Sequence, residues 1–256
     1  MTVLRAIAFN ILAYSLFLIM AVLGLPFLVT RESAFWVARA WANITIWLMH
    51  HVAGIKLEVR GLEHLPDGGC IIAAKHQSAL ETFSAVPYLG QFAFILKREL
   101  NWVPLFGWYT SRTGMIPVNR GAKSAALREI TIKARQAIAE GRKIIIYPEG
   151  TRRPPGAPPE YKFGVIHLYS ELDALCVPMA VNSGLYWPRR SLKRYPGTAT
   201  LEFLEPIPPG LDRDTFRTLL QDRIETATAR LIAEARTRGE GIPENEIAPP
   251  KTKSAQ

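Results

Sequence analysis

Between Ala6 and Val29 the chain carries no charged side chain, and Leu, Ile, Phe, Val and Ala dominate the run. As a helix this segment is about 36 Å long, more than the roughly 30 Å of a bilayer's hydrocarbon core. An uncleaved membrane anchor and a secretory signal headed by Arg5 both fit such a run. The apolar stretch exceeds the roughly 7–15 residues of a signal's hydrophobic region, and no clear A-x-A cleavage site follows. An anchor is therefore expected.

The next stretch, Ala34 to Val52, carries Trp36, Trp41 and Trp47 together with Arg39 and Asn43. Indoles favour headgroup depth, so this segment reads as an amphipathic interfacial helix. A buried core helix is the alternative. The pair can form a spanning helix plus a surface helix, or a hairpin that never crosses. Only Arg5 precedes the first helix, whereas Arg31, Arg39, Lys56 and Arg60 follow it. By the positive-inside bias the remaining body lies on the cytoplasmic side.

The formal net charge of +9 points to an anionic partner: nucleic acid, an acidic membrane face or a phosphorylated substrate. The two cysteines, Cys70 and Cys176, sit in apolar runs and read as reduced core residues. The five histidines show no metal-ligand spacing such as H-E-x-x-H, so no metal site is expected.

Beyond residue 53 short apolar runs alternate with helical or loop stretches. Strands are expected at Ile55–Arg60, Cys70–Ala74, Phe92–Leu96, Met115–Val118, Lys143–Tyr147, Cys176–Val181 and Thr200–Phe203. The unbroken Ile144-Ile145-Ile146 run suits a strand covered on both faces. Ala122–Glu140 places Leu127, Ile130, Ala134 and Ile138 at spacings of three and four and stops at Gly141, which predicts an amphipathic helix. A second long helix is predicted from about Asp212 to Arg236, with Phe216, Leu219, Leu220, Ile224 and Leu231 on one stripe. The expected class is α/β: a mixed, mostly parallel sheet flanked by helices, with an N-terminal membrane-anchoring helix pair. The expected division is an anchor over 1–53, an α/β domain over 54–238 and a disordered tail over 239–256. The Pro- and Gly-dense stretch Arg152–Glu160 reads as a loop.

Two groups carry the chemistry. The first, Lys75-His76-Gln77-Ser78-Ala79-Leu80-Glu81-Thr82, directly follows an expected strand. A histidine at a strand end faces a cleft, and its ordinary pKa suits proton abstraction from an alcohol. Glu81 can hold the imidazole, but five positions in a regular helix put the two side chains about 140° apart. They meet only if the chain turns between them. Ser78-x-x-Glu81 also fits a capping box, in which the glutamate returns to the Ser78 backbone N–H. The second group, Tyr147-Pro148-Glu149-Gly150-Thr151-Arg152, follows the strongest strand. Gly150 permits a tight turn, Thr151 offers a hydroxyl and Arg152 can clamp a phosphate through two N–H groups. A turn closed by a Glu149–Arg152 surface pair is the plainer reading. Lys97, in Leu96-Lys97-Arg98-Glu99-Leu100, and Arg120, after Met115–Asn119, place further cations at strand ends.

In this order the groups resemble the glycerolipid acyltransferase superfamily, whose first motif is His-x4-Asp and whose third is Glu-Gly-Thr-Arg. The likeness is to bacterial 1-acyl-sn-glycerol-3-phosphate acyltransferases and spans about Leu57 to Asn182. Val177-Pro178-Met179-Ala180-Val181-Asn182 resembles the fourth motif. One departure is that Glu81, not Asp, occupies the fifth position after His76.

The resemblance implies transfer of a fatty acyl group from an acyl thioester, acyl-CoA or acyl carrier protein, to the sn-2 hydroxyl of a lysophospholipid. His76 is then the general base and Glu81 its orienting partner. Lys97 and Arg152, then Arg120, are expected at the acceptor phosphate, and Glu149, Gly150 and Thr151 are expected to bind substrate as well, Glu149 by shaping the loop or meeting glycerol hydroxyls. The substrate alcohol is the nucleophile, so no acyl-enzyme and no cofactor are expected, and no G-x-S-x-G elbow occurs in the chain. Implied partners are the lysophospholipid, the acyl donor and the bilayer, with no nucleic acid. The implied location is the bacterial inner membrane, with the catalytic domain facing the cytoplasm. Two other readings stay open: a same-fold acyltransferase acting on glycerol-3-phosphate or a lyso-aminolipid, and a membrane-tethered, non-catalytic binder of lipid or nucleic acid.

Overall fold

The computed structural model of the 256-residue chain describes residues 3–119 and 123–247. Two helices, α1 (Val3–Leu23) and α2 (Arg31–His51), lead into strands β1 (Ile55–Arg60) and β2 (Ile71–Ala74). There follow α3 (Leu80–Ser84), β3 (Phe92–Lys97), α4 (Phe106–Arg112), β4 (Ile116–Val118), α5 (Lys123–Ala139) and β5 (Lys143–Ile146). The chain closes with α6 (Phe163–Leu172), β6 (Cys176–Val181), β7 (Gly197–Phe203) and α7 (Arg213–Thr237).

The seven strands form one sheet in the order β1-β7-β6-β2-β5-β3-β4. Five run parallel from β6 to β4, and β7 reverses direction against β6 and pairs in parallel with β1. This is the mixed, mostly parallel α/β sheet the sequence predicts. Because side chains alternate across a strand, Ile144 and Ile146 face α5, α6 and α7, where they meet Ile130, Ala134 and Ile224. Ile145 points the other way, into a cluster with Ile72, Met179 and Val181. Both faces are covered, and that is why the run is unbroken.

The second face is covered by α2. Phe35 and Ala42 pack into the sheet cluster, while Trp36 and Trp47 stay exposed on the far side. Helix α2 is thus a layer of the α/β body on one face and an aromatic surface on the other. The buried stripe runs through Phe35, Ala42, Thr45 and Met49 at helical spacing. Thr30 starts the helix: its hydroxyl accepts the Ser33 backbone N–H, and the Ser33 side chain returns to the Thr30 N–H.

Helix α1 is long and apolar enough, by length and composition, to cross a membrane. It lies against the body from end to end. Arg5 Nε donates to the Val52 carbonyl at 2.9 Å, Phe9 meets Trp187 edge-on, and Tyr109 donates its hydroxyl to the Ala21 carbonyl. The opposite side of α1, including Leu4, Ile11, Leu18 and Leu23, is bare.

The stretch from Gly239, expected to be disordered, is ordered as far as Ile247. Ile242 is buried and donates its N–H to the Leu185 carbonyl at 2.7 Å. Glu240 accepts the Thr198 N–H and the Tyr186 hydroxyl. One apolar side chain and one satisfied carboxylate dock the segment, although its composition is polar. Residues 248–256 of the expected tail lie outside the described residues.

Candidate active site

The carboxyl ends of β3, β5 and β2 lie side by side, and each delivers residues to one cleft, the usual ligand position in open α/β sheets, while the loop after neighbouring β6 braces the β2 loop from behind. The loop after β2 carries His76. Its Nδ1 lies 2.8 Å from Oε1 of Glu81, a fully buried residue in the first turn of α3. The chain turns sharply before α3, and this turn lets residues five apart meet. The same carboxylate accepts the backbone N–H groups of Gln77 at 2.9 Å and Ser78 at 2.8 Å, and the Ser183 hydroxyl at 2.6 Å.

The two sequence readings of Glu81 are therefore both partly met. Glu81 holds the histidine, and it also returns to the Ser78 N–H as a capping glutamate does. The other half of a capping box is missing: the residue preceding α3 is Ala79, with no side-chain cap. Ser78 Oγ donates to the Trp187 carbonyl at 2.6 Å and accepts the Leu80 N–H, so its hydroxyl ties two loops together.

With Nδ1 donating to Glu81, Nε2 of His76 is the ring nitrogen left to take a proton. The imidazole stacks on Tyr147, with ring centroids 3.9 Å apart and planes at 20°. Burial, and after it the charge of Glu81, raises the pKa of the Tyr147 hydroxyl well above the ordinary phenol value.

The loop after β5 closes with Gly150 N–H on the Tyr147 carbonyl at 2.9 Å, with Gly150 at φ +64°, the left-handed region that glycine tolerates. Arg153 N–H then bonds the His76 carbonyl at 2.8 Å, locking this loop to the histidine loop. Arg152 lines the cleft, and so does Lys97 at the end of β3, where it pairs with Glu99 at 3.1 Å.

Three residues expected at the substrate are placed elsewhere. Glu149 is buried and turns behind the loop, 3.2 Å from Lys75 Nζ, which also bonds Glu225 of α7 at 2.8 Å. Burial raises the Glu149 pKa, partly offset by the Lys75 ammonium. Gly150 and Thr151 do not line the cleft; Gly150 makes the turn and Thr151 is exposed. The surface pair Glu149–Arg152 does not form, because Glu149 faces inward. Arg120 lies outside the described residues.

Sequence reasoning missed Ser183, one residue beyond the fourth motif, and Lys75, inside the first. It also gave no role to Tyr147. A buried lysine next to a cleft histidine is a signal in itself, since lysine is almost never fully buried unless paired.

The cleft opens into a cavity of about 420 Å³ with apolar walls, among them Phe17 and Met20 of α1, Phe35 and Trp41 of α2, Phe94 and Phe106. His76, Lys97 and Arg152 mark its polar end. The N-terminal helices are thus walls of the cavity. An imidazole base, flanking cations and a greasy chamber suit an alcohol acceptor with an anionic group and a long aliphatic chain.

The acyltransferase family model matches residues 56–182. A 1-acyl-sn-glycerol-3-phosphate acyltransferase of Pseudomonas aeruginosa is 37% identical over 173 residues, covering 68% of this chain and 67% of that protein. The human 1-acyl-sn-glycerol-3-phosphate acyltransferase alpha is 28% identical over 233 residues, covering 88% of this chain and 80% of its own length. The fold matches the crystal structure of the 1-acyl-sn-glycerophosphate acyltransferase of Thermotoga maritima with a TM-score of 0.68. That match has 23% identity and covers 79% of this chain and 81% of that one. By its sequence and its fold, this chain belongs to the acyltransferase family.

Proposed function

We propose that the protein transfers a fatty acyl group from an acyl thioester to the sn-2 hydroxyl of 1-acyl-sn-glycerol-3-phosphate, giving phosphatidic acid. One observation carries the reading: the His76–Glu81 pair opens on an apolar cavity whose polar end holds Lys97 and Arg152. His76 Nε2 takes the proton of the hydroxyl as its oxygen attacks the thioester carbonyl carbon. The C–S bond breaks, the imidazolium returns the proton to the departing sulfur, and the free thiol leaves. Glu81 holds the productive tautomer and offsets the imidazolium charge, as the carboxylate does in the triad template. Lys97 and Arg152 hold the acceptor phosphate, with Arg120 as a further cation, and the apolar cavity takes an acyl chain. Neither step calls for a cofactor.

The bare face of α1, together with exposed Trp36 and Trp47 on α2, supports docking on the cytoplasmic face of a bacterial inner membrane. Its contacts with the body from Arg5 to Ala21 favour an anchor lying along one leaflet over one that crosses.

The test is purified protein with 1-acyl-sn-glycerol-3-phosphate and labelled acyl-CoA or acyl carrier protein. Labelled phosphatidic acid is expected, lost in His76→Ala. Transfer only to glycerol-3-phosphate or a lyso-aminolipid defeats the acceptor assignment, and no transfer to any acceptor defeats the enzyme reading.

A further inference from the structure

The loop after β6, on the opposite side of His76 from Lys97, carries two adjacent arginines. The sheet order is β6-β2-β5-β3, so the β2 loop with His76 lies between the loop bearing Arg189 and Arg190 and the β3 end bearing Lys97. The arginine loop is fixed to the catalytic one: Ser78 Oγ donates to the Trp187 carbonyl at 2.6 Å, and Arg189 donates to the Arg152 carbonyl at 2.9 Å.

Three guanidinium groups gather here: Arg152 in the cleft wall, Arg189 half-buried and Arg190 exposed at the rim. None of the three has an ion pair with a carboxylate among the described residues, although the chain forms many such pairs elsewhere. Arg190 also holds φ at +58°, an uncommon conformation for a side chain other than Gly, Asn or Asp. Burial and the neighbouring charges of Arg190 and Arg152 lower the pKa of Arg189, as crowded like charges do. Clustered cations without counter-charge, in a strained turn, form a site that an anion completes.

The proposed reaction brings two phosphate-bearing substrates to one histidine. The acceptor phosphate lies a few bonds from the attacking hydroxyl and belongs near the cleft. The phosphates of a phosphopantetheine thioester lie a long arm away from the reacting carbonyl and belong at the rim.

We propose that Arg189 and Arg190 form a second anion site, distinct from Lys97, that takes the phosphates of a phosphopantetheine-bearing acyl donor. The donor then enters along the β6 side and the acceptor along the β3 side, meeting at His76. The inference rests on the proposed reaction, but its site can be read without turnover.

The experiment compares wild type with Arg190→Ala and Arg190→Glu, since Arg190 is exposed and makes no hydrogen bond that the fold needs. Binding of CoA itself is measured by calorimetry, and KM is measured for acyl-CoA, for an acyl-N-acetylcysteamine thioester without phosphate, and for lysophosphatidic acid. CoA affinity is expected to fall about tenfold in Arg190→Ala and further in Arg190→Glu, the scale of one lost charge-assisted contact. The rise in KM is expected to be confined to the phosphate-bearing donor. Equal CoA affinity in all three proteins overturns the site. A rise in KM for lysophosphatidic acid in place of acyl-CoA overturns it too, assigning the arginines to the acceptor. Normal CoA binding by wild type with no transfer to lysophosphatidic acid overturns the reaction and leaves the site standing.

Discussion

Glu81 Oε1 accepts the Nδ1–H of His76 at 2.8 Å while the same carboxylate accepts two backbone N–H groups and the Ser183 hydroxyl. Four donors around a fully buried carboxylate leave this side chain little freedom to follow the imidazole. The histidine is therefore set on a fixed acceptor, with its ring held from the side by Tyr147.

Glu81→Gln separates this arrangement from a simple cap. An amide has one acceptor oxygen and a donating NH2, so it must turn a donor toward at least one of the groups that now donate. A buried donor left unsatisfied costs about 1–3 kcal/mol, and loss of the charge removes imidazolium stabilisation. Both kcat and Tm are expected to fall. Near-normal kcat at lowered Tm leaves Glu81 a structural cap.

His76→Ala is expected to lower kcat by at least about 100-fold in a protein that still folds, since general-base contributions run about 10²–10⁴. The imidazole is only 15% exposed and stacks on Tyr147, so some fall in Tm is expected with it. Retention of more than a tenth of wild-type kcat removes the base assignment.

Arg152→Ala is expected to raise KM for the phosphate-bearing acceptor, with partial rescue by Arg152→Lys, because an ammonium lacks the guanidinium fork. Arg152 has neither an ion pair nor a side-chain hydrogen bond among the described residues, so Tm is not expected to move. An unchanged acceptor KM removes Arg152 from the phosphate.

The sequence exposed most of the sheet because buried strands of a parallel sheet are continuous apolar runs, and all seven expected strands form within a few residues of their predicted ends. Helices α4 and α6 stayed hidden, and α3 was legible only as the capping box Ser78-x-x-Glu81 that precedes it. Helix α4 is short, and α6 follows a Pro-rich loop with little polar contrast around its turn. His76 and Arg152 were readable because strand-end motifs carried them. Glu149 was misplaced because sequence order does not tell which way a loop side chain turns, and its partner Lys75, shared with Glu225 of α7, comes from a distant strand end. The double nature of α2 was obscured because Trp36 and Trp47 mark the outer face, while Trp41 and the small residues Ala34 and Ala42 turn inward.

The buried Lys75–Glu149–Glu225 group predicts a pH effect. Burial raises the Glu149 pKa in the folded protein above its ordinary 4.5. The folded state then binds the proton more tightly than the unfolded chain, so this group's stabilisation is present below about pH 4.5 and is lost as pH rises through the folded value. Glu149→Gln removes that titration. In urea melts the stability of wild type relative to the variant is expected to fall between pH 4.5 and neutrality; a constant difference rules this out.

Truncation tests whether α1 and α2 are one anchor or two different devices. Helix α1 buries Ala6, Phe9 and Ala21 and leaves most of its larger apolar side chains bare, whereas α2 places Phe35 and Ala42 in the cluster beneath the sheet. Removing residues 1–24 takes away a cavity wall and the bare apolar face. The body is expected to stay folded, to leave the membrane fraction and to lose activity toward long-chain substrates. Removing residues 1–53 also strips the cover from Ile72, Ile145 and Met179, exposing the apolar side of the sheet. Exposed patches of that kind drive association, so the longer truncation is expected to aggregate even in detergent-free buffer where the shorter one is monomeric. The measurement is sedimentation and size-exclusion of both variants beside the full chain. A soluble, monomeric 1–53 deletion returns α2 to the anchor. Full-length protein in the soluble fraction without detergent refutes membrane docking altogether.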